Sequence, residues 1–171
     1  MYILLFIYIM LDTGTSFLLL FLIFASIFLI AKILTNYQRV KKEKEKKKLI
    51  KNYIGLTLLI FGLLKLYDLD KFVKIFSRYD LISKNINLYG YLYPYIEIIL
   101  GVFLLNSINT ILSLQSIILL MTISILSVTI SIIKGDKLRC GCLGSFFHIP
   151  LSYTTLAENF MMIFMSYYYI K

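Results

Sequence analysis

Tryptophan is absent from these 171 residues, histidine occurs once, and cysteine and proline occur twice each. Two cysteines one residue apart cannot form the framework of a disulfide-stapled domain, which leaves Cys140 and Cys142 with redox, metal-binding or inert-thiol roles. Acidic residues are scarce, nine against eighteen basic ones, for a net charge of +9. Such a surplus suits nucleic acid only where a stacking module or recognition helix accompanies it, and none does, so nucleic-acid binding is set aside. Residues 1–16 hold no Lys or Arg, which argues against a cleaved signal peptide with its positively charged start. The missing tryptophan carries no functional message.

What fills the chain is apolar. Hydrophobic residues make up 60% and the mean hydropathy is +0.84, against about 45–50% apolar content in soluble domains. A single domain of this length cannot bury that much apolar surface against itself. The bilayer must be the solvent for much of it. A spanning helix takes about 20 mostly apolar residues, and the candidates are Phe17–Leu34, Ile50–Tyr67, Leu88–Leu105, Thr110–Ile133 and Leu151–Ile170. Met1–Met10 is apolar but too short to cross alone, and Asp12-Thr13-Gly14 interrupts it. Between the second and third candidates, Asp68–Asn87 carries Phe72, Val73, Ile75, Phe76 and Tyr79 partly at helical spacing, which predicts a short interfacial helix and turn. The expected fold is an all-α integral membrane protein. A four-helix transmembrane bundle over 50–171 follows one extra N-terminal transmembrane helix within 1–36 and a basic cytoplasmic linker over 37–49.

The basic residues are not evenly spread. Arg39 to Lys51, RVKKEKEKKKLIK, holds eight of the eighteen. Beside membrane spans such a cluster is first an orientation signal, read by the positive-inside rule, and second an attraction to anionic headgroups. With this cluster in the cytoplasm, successive crossings put Asp68–Asn87 and Lys134–Pro150 outside, the Asn106–Asn109 turn inside, and Lys171 inside. Cys140 and Cys142 are then expected on the non-cytoplasmic, oxidising side.

From Leu56 onward the chain resembles the MauE branch of the DoxX-like membrane proteins, named for methylamine utilisation. The resemblance is carried by GLLKLYDLDKFVKIFSRYDLI (62–82), YLYPYIEIILGVFLL (91–105) and KGDKLRCGCLGSFFHIPLSYTTLAENFMMI (134–163). In order, these give a Gly-x-x-Lys at a helix end, a Phe- and Tyr-rich segment, a Pro-x-x-Glu helix and a Cys-x-Cys-Leu-Gly loop. The resemblance implies a four-helix membrane protein linked to thiol–disulfide chemistry outside the cytoplasm. The ending PLSYTTLAEN is similar to a subgroup sometimes joined to heavy-metal-binding domains. The extra first span and the basic linker depart from the family pattern. No thioredoxin-like or metal-binding domain is attached within this sequence, so such a partner is expected to be a separate protein, alongside the lipid bilayer.

The residues themselves leave alternatives open. Gly141 permits a tight turn between the cysteines, and a disulfide there needs Cα atoms within about 7 Å. It would be strained, and strained exposed disulfides are labile and oxidising, which suits a redox relay. The helix opening at Pro150 can stabilise a nearby thiolate. With His148, the same two thiolates make a soft-metal set for Cu(I), Zn(II) or Hg(II), one ligand short of a closed structural zinc site. No other cofactor is expected. Glu97 and Glu158 form the second constellation, because carboxylates inside spans face the bundle interior or water. Counted from their helix starts, both lie roughly 12–14 Å below the cysteine side, with Lys65 as a shallower partner. Their roles are a proton- or ion-handling cluster, a register-fixing ion pair, or a Thr155-Leu-Ala-Glu158 capping box. Pro94 begins or kinks the third span. Gly55, Gly62 and Gly101 permit close helix packing. Met161, Met162 and Met165 are expected in packing, and Tyr167-Tyr168-Tyr169 in an interfacial belt.

Overall fold

The structure, a computed structural model, describes residues 21–36, 42–134 and 153–171. Every regular element among them is a helix: α1 Phe21–Asn36, α2 Lys42–Tyr67, α3 Leu69–Tyr79, α4 Asn87–Leu105, α5 Thr110–Ile133 and α6 Tyr153–Ile170. Glu45–Tyr67 of α2, α4 and α5 are long and apolar enough to cross a membrane, and α1 is a shorter apolar helix. The protein is therefore a membrane protein that is all-helical among the described residues. Residues 1–20, including the start of the expected Phe17–Leu34 span, lie outside the described residues, as do Cys140, Cys142, His148 and Pro150.

One boundary differs from expectation. The basic stretch expected as a linker over 37–49 is helical from Lys42, eight residues before Ile50. Lys and Glu are good helix formers, and Glu43 stands four residues before Lys47, the favourable orientation for an i,i+4 pair. The charged turns continue the spanning helix out of the apolar zone.

The helices α2, α4, α5 and α6 pack in a ring around Ile54, Leu58, Leu104, Leu114, Ile117, Met121 and Met162, all of them buried. The closest pairing is α2 with α4, and its cause is the absence of side chains. A Cβ at Gly101 would stand 2.8 Å from the Gly55 carbonyl oxygen, and one at Gly62 would stand 3.0 Å from the Pro94 carbonyl oxygen. The three glycines expected to permit close packing do so across this one seam. Pro94 lies inside α4 rather than at its start. On the outer side of α2, α1 buries Ile27 and Ala31 against Tyr53 and Phe61, and Asn52 donates to the Thr35 hydroxyl at 3.1 Å.

The short helix expected within Asp68–Asn87 is α3, but it is part of the core rather than a surface element. The Asp68 carboxylate caps it by accepting from the Lys71 N–H at 3.4 Å. Its apolar face, Phe72, Val73, Phe76 and Tyr79, is buried with Tyr93 of α4 and Val128 of α5, while Asp70, Lys71, Lys74 and Arg78 occupy the other positions. This aromatic cluster closes one end of the ring. Phe76 and Tyr93 have ring centroids 4.7 Å apart, and Phe72 and Phe76 stack at 5.0 Å.

The opposite end carries the basic start of α2. There Lys51, itself buried, donates to the Ser107 hydroxyl in the α4–α5 turn. That turn includes two non-glycine residues with positive φ, Ser107 at 60° and Asn109 at 41°. Lys47 of α2 also lies 6.0 Å from the Tyr169 ring of α6. The chain thus runs up and down, with α2 starting, α4 ending and α6 ending at one end.

Candidate functional site

Three charged side chains from three helices meet between the aromatic cap and the apolar core. Lys65 comes from the last turn of α2, Glu97 from the middle of α4 just past Pro94, and Glu158 from the second turn of α6. Lys65 Nζ donates to both oxygens of Glu97, at 2.5 and 2.6 Å, and the two side chains are only 5% and 3% exposed. The ammonium also sits 4.9 Å from the Tyr93 ring and 5.8 Å from the Phe72 ring, close enough for cation–π attraction. Sequence reasoning had Lys65 as a shallower neighbour. The structure makes it the direct partner of Glu97, because α2 and α4 approach so closely along their glycine seam.

Glu158 borders the same enclosed space. A cavity of about 30 Å³ is lined by Lys65, Glu97, Glu158, Asn159, Ser124 and Thr57, among others, and Glu158 couples electrostatically to both Lys65 and Glu97. Two carboxylates at similar depth, expected from helix counting, do converge. Thr155, the other member of the expected capping box, lies within α6, two residues after its described start. Nearby, Asn159 Nδ2 donates to the Ser124 hydroxyl at 3.0 Å, tying α6 to α5.

The α5–α6 pairing fixes where the cysteine segment is anchored. Leu156 packs on the cluster with Val128, Asn159 meets Ser124, and Met162 joins Met121 and Ile117. As α6 positions rise, α5 positions fall, so the two helices are antiparallel. α5 therefore ends and α6 begins at the aromatic end, above the charged cavity. Cys140, Cys142 and His148 belong to the segment joining those ends and lie outside the described residues. Among the described residues, no group of three His, Cys, Asp or Glu side chains is arranged to hold a metal ion. The metal alternative therefore rests on the cysteine segment.

A second polar device at this end was not expected from sequence. Asp80, 1% exposed, accepts from the N–H groups of Ser83 at 2.7 Å and Ile82 at 3.1 Å, and from the Ser127 hydroxyl of α5 at 3.3 Å. Ser127 in turn accepts from the Leu81 N–H at 3.1 Å. Burial pushes the Asp80 carboxyl above the usual aspartate range, against the opposing pull of these hydrogen bonds. The signal for it was an Asp followed three residues later by Ser, a local Asx-turn pattern, concealed within a segment read for its apolar face.

The order of these parts matches a known family. The family described as methylamine utilisation protein MauE matches residues 47–170. The chain belongs to the MauE family. The match takes in α3, the Lys65–Glu97 pair, the cysteine segment and all of α6, while α1 lies before it. No curated protein and no solved structure matches the chain.

Proposed function

We propose that this MauE-family protein is a membrane thiol–disulfide exchange module, with Cys140 and Cys142 as its redox pair and a separate thioredoxin-like protein as its partner. In each exchange a partner dithiol is oxidised to a disulfide while the Cys140–Cys142 disulfide is reduced, or the reverse, and two electrons and two protons cross between them. The observation that carries the reading is topological. The two ends of the cysteine segment lie at the bundle end opposite the basic start of α2, on the side of the buried Lys65–Glu97 pair and of Glu158. By the positive-inside rule the basic end is cytoplasmic, so the cysteines meet the oxidising compartment. The spans in this reading are α1, α2, α4, α5 and α6, four in the bundle and one before it.

Trapping tests this. Cys140→Ser or Cys142→Ser removes the resolving thiol, so one of the two variants should accumulate a covalent, reductant-sensitive adduct with one dominant partner in cells. Absence of any adduct from both variants, in cells where the wild-type pair cycles between reduced and oxidised forms, removes the partner-exchange reading.

The second reading, a soft-metal site of Cys140, Cys142 and His148, is favoured by the ligand chemistry alone. It predicts that both cysteine variants lose binding together and that His148→Ala weakens it.

A further inference from the structure

The charged cavity has an unbalanced charge. Lys65 and Glu97 neutralise one another through two short hydrogen bonds. Glu158 then adds a second carboxyl to the same enclosed space, within a bundle whose lipid-facing surroundings make uncompensated charge costly. No second Lys, Arg or His lines the cavity among the described residues. One further positive charge is needed whenever Glu158 is to sit there as neutral as its neighbours.

The cavity is also built for water. Its volume of about 30 Å³ exceeds the roughly 10–15 Å³ that a single water requires, and a buried water needs two to four polar partners. Thr57, Ser124, Asn159 and the three charged groups supply them. A proton can therefore reach the carboxyl through an ordered water without a charged side chain having to move.

We propose that this cavity is a one-proton site, in which the Glu158 carboxyl binds and releases a proton while Lys65 and Glu97 stay paired with each other. The O–H bond of Glu158 forms with a proton from the aqueous compartment, relayed by a cavity water that takes up one proton as it gives another, and breaks by returning the proton along the same route. The groups facing Glu158 explain the assignment to this carboxyl. From α2 come Lys65 and Tyr53, the latter coupled to Glu158 electrostatically. Glu97 and Tyr93 come from α4 and Tyr79 from α3, while α5 offers Ser124 and Met121, which do not titrate. Glu97 has the ammonium in a two-pronged contact through both of its oxygens. Glu158 shares that ammonium only across the cavity.

The link to the cysteines rests on the thiol-exchange reading, whereas the proton site itself does not. Dithiol–disulfide conversion takes up or sheds two protons, and a carboxyl just inside the bundle end where the cysteine segment is anchored is placed to hold one of them between steps.

The test uses the full chain in lipid nanodiscs and infrared difference spectra between acidic and alkaline pH. Among the protonated-carboxyl bands, Asp80's included, one should disappear with rising pH, be lost in Glu158→Gln and be shifted in Glu158→Asp. A full set of bands unchanged in Glu158→Gln overturns the assignment. So does a Glu158 carboxyl that is ionised at every pH but changes its band on adding sodium or potassium, which would make the cavity a metal-cation site. A second arm measures the pH dependence of exchange with a small dithiol. The wild type should show an inflection at the pH where the band titrates, and Glu158→Gln should lose it. If the band behaves as stated but no variant exchanges thiols, the proton site stands and the redox reading falls.

Discussion

Lys65 Nζ and the Glu97 carboxylate meet at 2.5 and 2.6 Å, joining the last turn of α2 to the middle of α4 beneath the Phe72 and Tyr93 rings. The contact exists because two helices without side chains at Gly55 and Gly101 come close enough for it. A buried ion pair is weak evidence of stability, but removing one partner leaves an uncompensated charge.

Lys65→Met and Glu97→Gln should each destabilise the protein by about 3–5 kcal/mol, the cost of stranding the other charge. The double variant Lys65→Met/Glu97→Gln should lose less than either single variant. Reversible unfolding in detergent, run as a double-mutant cycle, measures this. Strictly additive losses would mean that the pair is not coupled.

Gly101→Ala should be more damaging than Gly90→Ala. The added Cβ at 101 meets backbone on two sides, 2.8 Å from the Gly55 oxygen and 3.0 Å from the Leu59 nitrogen, so α2 and α4 must separate at a cost of about 1–3 kcal/mol. At 90 the nearest atom is the Ser83 hydroxyl, 2.6 Å away, which can rotate. The entropic gain of about 0.5–1 kcal/mol on replacing a helical glycine then largely offsets that shift. Melting temperatures of the two variants side by side decide it.

Asp80 gives a pH signature. Its folded-state pKa is raised by burial above the ordinary 3.8. Its contribution to stability is therefore complete below that ordinary value and is lost as the pH rises through the folded value. Between those limits the wild type should gain stability on acidification, while Asp80→Asn, which keeps the turn's acceptor oxygen, should show a flatter profile there. Equal slopes for the two proteins would assign the pH dependence to other groups.

Much of this architecture is legible in the residues because apolar runs of spanning length leave few alternatives in a membrane. Glycines spaced along α2 and α4 announced a close seam for the same reason: small residues inside such helices are there to let backbones approach. What sequence could not give was lateral choice. Helix counting set Glu97 and Glu158 at similar depth, yet only the packing of α2 on α4 shows that Lys65 takes Glu97 with both oxygens. Lys51 with Ser107 and Asn52 with Thr35 were illegible for a related reason. A polar residue near a helix end has water as its ordinary partner, and nothing local says that a neighbouring helix supplies the partner instead. The helical course of Lys42–Leu49 was missed because charge was read as linker, although Lys and Glu favour helix.

Orientation is tested by access. The basic start of α2 and the anchored ends of the cysteine segment lie at opposite ends of the bundle, so the positive-inside rule expects Cys140 and Cys142 outside. A membrane-impermeant thiol reagent applied to intact, reductant-treated cells should label them, and Cys140→Ser/Cys142→Ser should abolish the signal. Labelling that appears only after permeabilisation would invert the proposed topology.

The last expectation separates electron exchange from metal capture at Cys140 and Cys142, which share the same two sulfur atoms. Exchange proceeds by attack of one thiolate on a disulfide sulfur, so at any moment one cysteine is the attacker and the other resolves the mixed disulfide. The two are then unequal, and alkylation of the reduced protein should modify one markedly faster, with Cys142 the expected faster thiol because it is nearer in sequence to the start of α6, and a helix N-terminus favours a nearby thiolate. A metal site makes the two sulfurs equivalent ligands that must both be deprotonated. Protein purified with a chelator, then given Cu(I), would show both cysteines protected together, with partial loss of protection in His148→Ala. Mass spectrometry of the alkylated segment reads out both patterns in one experiment. Unequal reactivity that Cu(I) leaves unchanged is the result expected for a redox pair. Joint protection at stoichiometric Cu(I), with no trapped partner in cells, would transfer the function to the soft-metal reading.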